Sequence, residues 1–268
     1  MKPRALCTCL PFLLLSAASH AQTDRERAGV APNSLGLVGG AVHYRLIDEA
    51  HTPRRLLLSG TNARFGLEYE HLSRSYVFAL SAAASADDVE SKDRQWRSEL
   101  VSVELSLAYA RELGEYSLGR WLNRAFLGLA LDSDNYYLGD DQIPDNFDLL
   151  SVHGVHLELH HLTDLGHAQT LSLTWRVPGL LFVERRAPEN YGAEPADTDL
   201  SFYQLFYGGQ PLVLPLTRFA TGQVDYRKML ARGLAARIRY RFRYCSVSEG
   251  APYHLYSNEL SLGLAWSF

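Results

Sequence analysis

Leu234–Val247 reads LAARIRYRFRYCSV, and Asn258–Phe268 reads NELSLGLAWSF. Both alternate with period two, the side-chain repeat of a β-strand. In the first, Leu234, Ala236, Ile238, Tyr240, Phe242 and Tyr244 share one face, and Arg237, Arg239, Arg241 and Arg243 share the other. In the second, Leu260, Leu262, Leu264, Trp266 and Phe268 share a face opposite Glu259, Ser261, Gly263, Ala265 and Ser267. A soluble sandwich would bury the apolar stripe and wet the other. A membrane barrel turns the apolar stripe to lipid and the arginines to its interior.

The same alternation recurs upstream, starting with a strand over Leu35–Ile47. Phe65, Leu67 and Tyr69 oppose Arg64, Gly66, Glu68 and Glu70. Val101, Val103, Leu105, Leu107 and Tyr109 oppose Ser102, Glu104, Ser106, Ala108 and Ala110. Val155, Leu157 and Leu159 oppose His156, Glu158 and His160, and Leu171, Leu173 and Trp175 oppose Thr170, Ser172 and Thr174. Long polar connections near 48–60, 86–97, 133–148, 184–199 and 248–254 alternate with short ones near 72–75, 163–167, 208–211 and 231–233. Outer-membrane barrels have this asymmetry, with short periplasmic turns and longer external loops. Pro178 interrupts one strand, and Leu180–Val183 continues it past a bulge. Reading Leu200–Tyr207 and Leu212–Leu216 as a hairpin gives about twelve antiparallel strands, with ten as the smaller count; an even number keeps the short turns on one side.

The N-terminus has Lys2 and Arg4, an apolar run from Ala5 to Ala18, and Ser19-His20-Ala21, the pattern of a secretory signal peptide over 1–21. Residues 22–34 read as a periplasmic lead-in and 35–268 as the barrel. The chain carries 26 Lys and Arg against 30 Asp and Glu, net −4, and loss of the leader makes the balance more acidic. That excludes an electrostatic nucleic-acid binder. Beyond the leader Cys245 is the only cysteine, so no intrachain disulfide is expected there.

The segment Ser261-Leu262-Gly263-Leu264-Ala265-Trp266-Ser267-Phe268 resembles the C-terminal signal of bacterial outer-membrane barrels. Ser261, Gly263, Trp266 and Phe268 carry the likeness. The resemblance implies location in the cell outer membrane, contact with its lipid, and recognition by the barrel-assembly machinery. Pro178–Val183 with Ser201–Gly209, and the overall length, loosely resemble uncharacterised outer-membrane barrels of Bacteroidota, a likeness that brings no activity with it.

Three constellations bear on chemistry. The ladder Arg237, Arg239, Arg241 and Arg243 reads first as an interior stripe neutralised by Glu68, Glu70, Glu104, Glu158, Asp225 and Glu259, because enclosed charges need partners. Its sharper reading is an anion-selective constriction. His156 and His160, four apart and so on one face of the same strand with Glu158 between them, can converge on a metal only with a third ligand that this strand does not evidently supply. Ser151 with His153, and Asp132 and Asp134 in the rim loop, are the hydrolytic candidates, but no barrel-enzyme signature accompanies them. The expected protein is therefore a non-enzymatic, cofactor-free outer-membrane barrel, a narrow channel or a structural and interaction barrel. A barrel hydrolase acting on lipid or peptide, and a soluble exported β-sandwich, are the alternatives.

Overall fold

The structure is a computed structural model that describes residues 33–48, 56–91, 97–140, 147–186, 210–212, 219–247 and 253–268. Its strands are β1 (Asn33–Asp48), β2 (Leu56–Leu72), β3 (Tyr76–Ser91), β4 (Arg97–Leu118), β5 (Trp121–Asp140), β6 (Phe147–Gly166), β7 (Gln169–Arg186), β8 (Gln210–Leu212), β9 (Phe219–Ala231), β10 (Leu234–Val247) and β11 (Tyr253–Ser267). Sequential neighbours pair antiparallel from β1 to β7. β7 then pairs β9, and β11 returns to β1 from Ser34↔Ser267 to Asp48↔Tyr253. Closure gives each of the ten barrel strands a neighbour on both sides, which an open sheet in lipid could not do. The sheet is a closed ten-stranded barrel, so the soluble sandwich is excluded.

The larger count of twelve is corrected. β7 joins β9 directly from Gln169↔Lys228 to Arg176↔Thr221, which leaves no room for an intervening hairpin. Of the residues read as that hairpin, Gln210–Leu212 form the short β8 beside Leu181–Val183, above the β7–β9 seam. Leu200–Tyr207 lies outside the described residues, as do the expected leader over 1–21 and residues 22–32.

Short turns cluster at one end of the barrel: Ser73–Ser75, Gly119–Arg120, His167–Ala168 and Arg232–Gly233. Gly119 and Gly233 have φ of 62° and 77°, a left-handed backbone that a Cβ would strain. Asn33 and Phe268 meet at this turn end, where the Phe268 N–H donates to the Asn33 carbonyl at 3.0 Å. We call the opposite end of the strands the loop end.

The outer wall is apolar in its lower and middle part. Phe65 is 71% exposed and Leu262 63%, exposure that only lipid makes tolerable across a contiguous belt. Tyr76 stacks on Tyr109 at 5.6 Å near the turn end, and Tyr244 on Tyr256 at 4.8 Å toward the loop end, as interfacial girdles. Among the described residues no helix is long and apolar enough to cross a membrane; the strands do the crossing.

Toward the loop end the two faces exchange character. On β1 the exposed residues run Leu35 and Leu37, then His43 and Arg45, while Val42, Tyr44 and Leu46 are buried inside. On β11 the exposed Leu260 and Leu262 give way to Asn258, and Tyr253 and Leu255 are buried inside. These strands thus rise above the lipid with a polar outside and an apolar inside. The interior layer there packs Tyr44, Leu46, Leu58, Leu100, Tyr136 and Leu181 together with Phe219, Cys245 and Leu255. Tyr44 is held by Ser85 and Ser102 at 3.0 and 2.9 Å. A smaller cluster of Val77, Ala110 and Phe126 sits near the turn end.

The inversion explains where the expected strand ends fall short. β3 runs to Ser91 and β5 to Asp140, through stretches read as loops at 86–97 and 133–148. Their outward residues above the lipid are polar, so the sequence there loses its apolar stripe while the ladder continues. At Pro178 the expected bulge is present: Val155 pairs Leu180, whereas His156 pairs Pro178.

Candidate functional site

With Ile238 and Tyr240 exposed on the outer wall, period two sends Ala235, Arg237, Arg239, Arg241 and Arg243 inward. Each of the four arginines meets two carboxylates from other strands. Arg237 binds Glu68 and Asp225, with Glu70 at 4.0 Å. Arg239 binds Glu68 at 2.7 Å and Asp225 at 3.0 Å. Arg241 reaches Glu104 at 2.8 Å and Glu259 at 2.6 Å. Arg243 reaches Asp134 at 3.1 Å and Glu104 at 3.2 Å, and donates to the Tyr136 hydroxyl at 2.7 Å. Planar guanidinium forks suit such shared, enclosed carboxylates.

The network extends beyond the ladder. Arg64 pairs Glu104 through two parallel bonds of 2.8 Å and reaches Glu259 at 3.2 Å. Arg176 binds Asp132 at 2.7 Å and Glu158 at 2.8 Å, and Arg227 binds Glu70 at 3.0 Å. Glu158 therefore serves Arg176 and not the ladder. The reason is register: Glu158 and Arg176 are cross-strand partners on β6 and β7, at the bidding of neighbours rather than of β10 across the barrel. Seven arginines thus meet eight carboxylates among the described residues, a nearly balanced set. Glu104 is its hub, shared by Arg64, Arg241 and Arg243.

Asp132 and Asp134 are corrected: they lie on β5 and point inward, not in a rim loop. Their spacing from Leu131, an outward leucine, carried that signal. His156 and His160 also point inward but engage separately. His156 lies 3.6 Å from Asp132 and tilts over Phe219 at 5.0 Å; His160 is 2.9 Å from the Thr174 hydroxyl. No group of three or more metal-ligating side chains occurs among the described residues.

Ser151 and His153 have the outward parity of β6, Ser151 fully buried and His153 half-buried, and they bond different partners. Ser151 donates to Asn135 at 2.8 Å, and His153 Nδ1 lies 2.9 Å from the Ser133 hydroxyl. Sequence reasoning missed Ser133 and Asn135, since only the β5–β6 register brings them opposite His153 and Ser151.

At the closing seam Ser261 is buried, and Trp266 and Phe268 face outward. Gly263 sits between Val38 and Arg237, where a Cβ would come within 2.9 Å of the Leu37 carbonyl, so the β1–β11 approach there needs glycine.

No protein-family model and no curated protein matches the chain. Among solved structures it is similar to the outer membrane protease OmpT from Escherichia coli, at 9% identity and TM-score 0.50, over 91% of this chain and 99% of that one. It is also similar to the translocator domain of autotransporter NalP from Neisseria meningitidis, at 9% identity and TM-score 0.35, over 96% of each chain. Neisserial surface protein A gives 11% identity and TM-score 0.36, over 90% of this chain and 98% of that one. At such identities the likeness is one of fold: this chain is a β-barrel of the outer-membrane type.

Proposed function

We propose that this outer-membrane barrel is a closed scaffold that works through its outer wall and loop end, as a structural and interaction barrel, rather than as a conduit. The observation that carries the reading is the pairing of every ladder arginine with two carboxylates, beneath an apolar layer built on Tyr44, Leu100 and Tyr136. A neutralised stripe offers a permeating anion no free cation, and an apolar layer resists wetting. The full chain refolded in detergent is to be placed in planar bilayers. No discrete conductance steps are expected. Anion-selective steps that fall in Arg239→Ala or Arg241→Ala overturn the reading.

Residues 1–21 serve export in this reading, and the stripe ending at Trp266 and Phe268 serves capture by the barrel-assembly machinery. Phe268→Ala is expected to lower the amount of folded, heat-modifiable protein in the outer membrane. Equal amounts would separate assembly from this aromatic.

A further inference from the structure

The outer wall between β5 and β6 carries a set of polar groups that the closed-scaffold reading does not use. Ser133 and Asn135 alternate outward on β5 directly above Leu129 and Leu131. Half-buried His153 and fully buried Ser151 take the outward parity of β6 above Val155 and Leu157. Ser133, Asn135 and His153 therefore stand at the upper border of the lipid-facing belt, with Ser151 covered behind them. His153 Nδ1 lies 2.9 Å from Ser133 Oγ, the Asn135 amide nitrogen lies 3.4 Å from the same oxygen, and Ser151 donates to Asn135 Oδ1 at 2.8 Å. That last bond orients the amide, so its N–H2 side faces Ser133. On the other flank of His153 the β7 bulge brings Phe182, 38% exposed, into register as its cross-strand neighbour.

We propose that this wall is an acyl-transfer site for ester-linked membrane lipids. Ser133 is the nucleophile, His153 the general base, Asn135 the oxyanion donor, and Ser151 a positioning residue for Asn135. The requirements of such a site are a hydroxyl bonded to a base and a donor beside the reacting carbonyl, and these groups meet them. Apolar neighbours Leu131, Val155, Leu180 and Phe182 face the acyl chains of a lipid whose ester lies at interfacial depth. Ser133 Oγ attacks the ester carbonyl carbon as its proton passes to His153, and the carbonyl oxygen takes its negative charge beside the Asn135 amide. The carbon–alkoxy bond breaks, and His153 returns the proton to the departing lyso-lipid hydroxyl. Water, deprotonated by His153, then cleaves the acyl–Ser133 ester and releases the fatty acid.

A cross-strand histidine–hydroxyl pair alone does not make this site. His43 and Thr61 form one at 3.0 Å on the outer wall of β1 and β2, but among the described residues no amide donor is bonded to that hydroxyl. This pair is the internal control.

The test uses the full chain, refolded and checked for heat-modifiable mobility, with two probes. Fatty-acid release is measured from vesicles of palmitoyl-oleoyl phosphatidylethanolamine, and covalent labelling is measured with a long-chain alkyl fluorophosphonate and peptide mass spectrometry. Expected are fatty-acid release and an adduct on Ser133 in the wild type. Both should be lost in Ser133→Ala, release should fall on the order of a hundredfold or more in His153→Ala, and His43→Ala should leave it unchanged. Ser151→Ala should lower kcat at unchanged KM. A folded wild type that neither labels nor releases fatty acid overturns the proposal, as does labelling that persists in Ser133→Ala. Because the site lies on the outer wall, these outcomes are independent of whether the barrel conducts.

Discussion

Glu104 is the side chain on which the interior depends most. It accepts from Arg64, Arg241 and Arg243, and all four residues lie within the barrel. Removing one partner of a buried ion pair strands the others, so Glu104→Ala should cost about 3–5 kcal/mol. Urea unfolding in detergent micelles measures it; a loss under about 1 kcal/mol, the size of an exposed pair, would mean the guanidinium groups are already hydrated. The outer wall has the opposite rule. Leu262→Arg at a lipid-facing position should destabilise by roughly 2–4 kcal/mol, since a charge near the bilayer midplane has no partner there. Unfolding from vesicles checks it, and indifference would place Leu262 outside the hydrocarbon. At this scale the arginine ladder and most of its acids could be read from alternation alone. Asp134 as a partner of Arg243, and Ser133 as the partner of His153, could not, because each contact depends on a register between strands that no local pattern encodes.

Among the elements β7 is the most constrained. Below Pro178 its even residues face inward, and beyond Gly179 Leu181 is buried and Phe182 exposed, so the bulge reverses the parity of the strand. Gly179 is the residue left unpaired between Pro178 and Leu180, so deleting it should keep Leu181 inward and Phe182 outward and preserve the pairing of Leu181–Val183 with Gln210–Leu212. The variant is expected to give heat-modifiable folded form at near wild-type yield; loss of the folded form would show that the bend of the bulge, and not the parity alone, is required. The bulge was legible because proline cannot donate within a ladder. The upper halves of β3 and β5 were not, because a strand above the lipid carries its apolar residues on the inner face and its outer residues resemble those of a loop. The surplus pair of strands in the twelve-strand reading came from the same limit: apolar runs at 200–216 satisfied the pattern, and only the β7–β9 pairing shows that the barrel closes without them.

For the molecule as a whole, the ion pairs and the apolar layer above them form a filled cylinder. Salt screens exposed pairs strongly and enclosed ones weakly, so the urea midpoint of the wild type should shift little between low and molar salt. A steep salt dependence would show water and ions reaching the network, and would weaken the closed-scaffold reading with it. The architecture was legible at this scale because alternation, loop asymmetry and the lipid-facing aromatics all require closure in a membrane. The filling of the interior was not, since it depends on which facing strands share a height. The exchange of apolar and polar faces along β1 and β11 has a further consequence, for depth. Sinking the barrel would drag His43 and Arg45 into hydrocarbon and push Leu35 and Trp266 into water at the far rim, and raising it would lift Leu260 out of the lipid. The strands thus act as a ruler cut to one hydrocarbon thickness, and bilayers of longer acyl chains should slow spontaneous insertion even where final stability is unchanged.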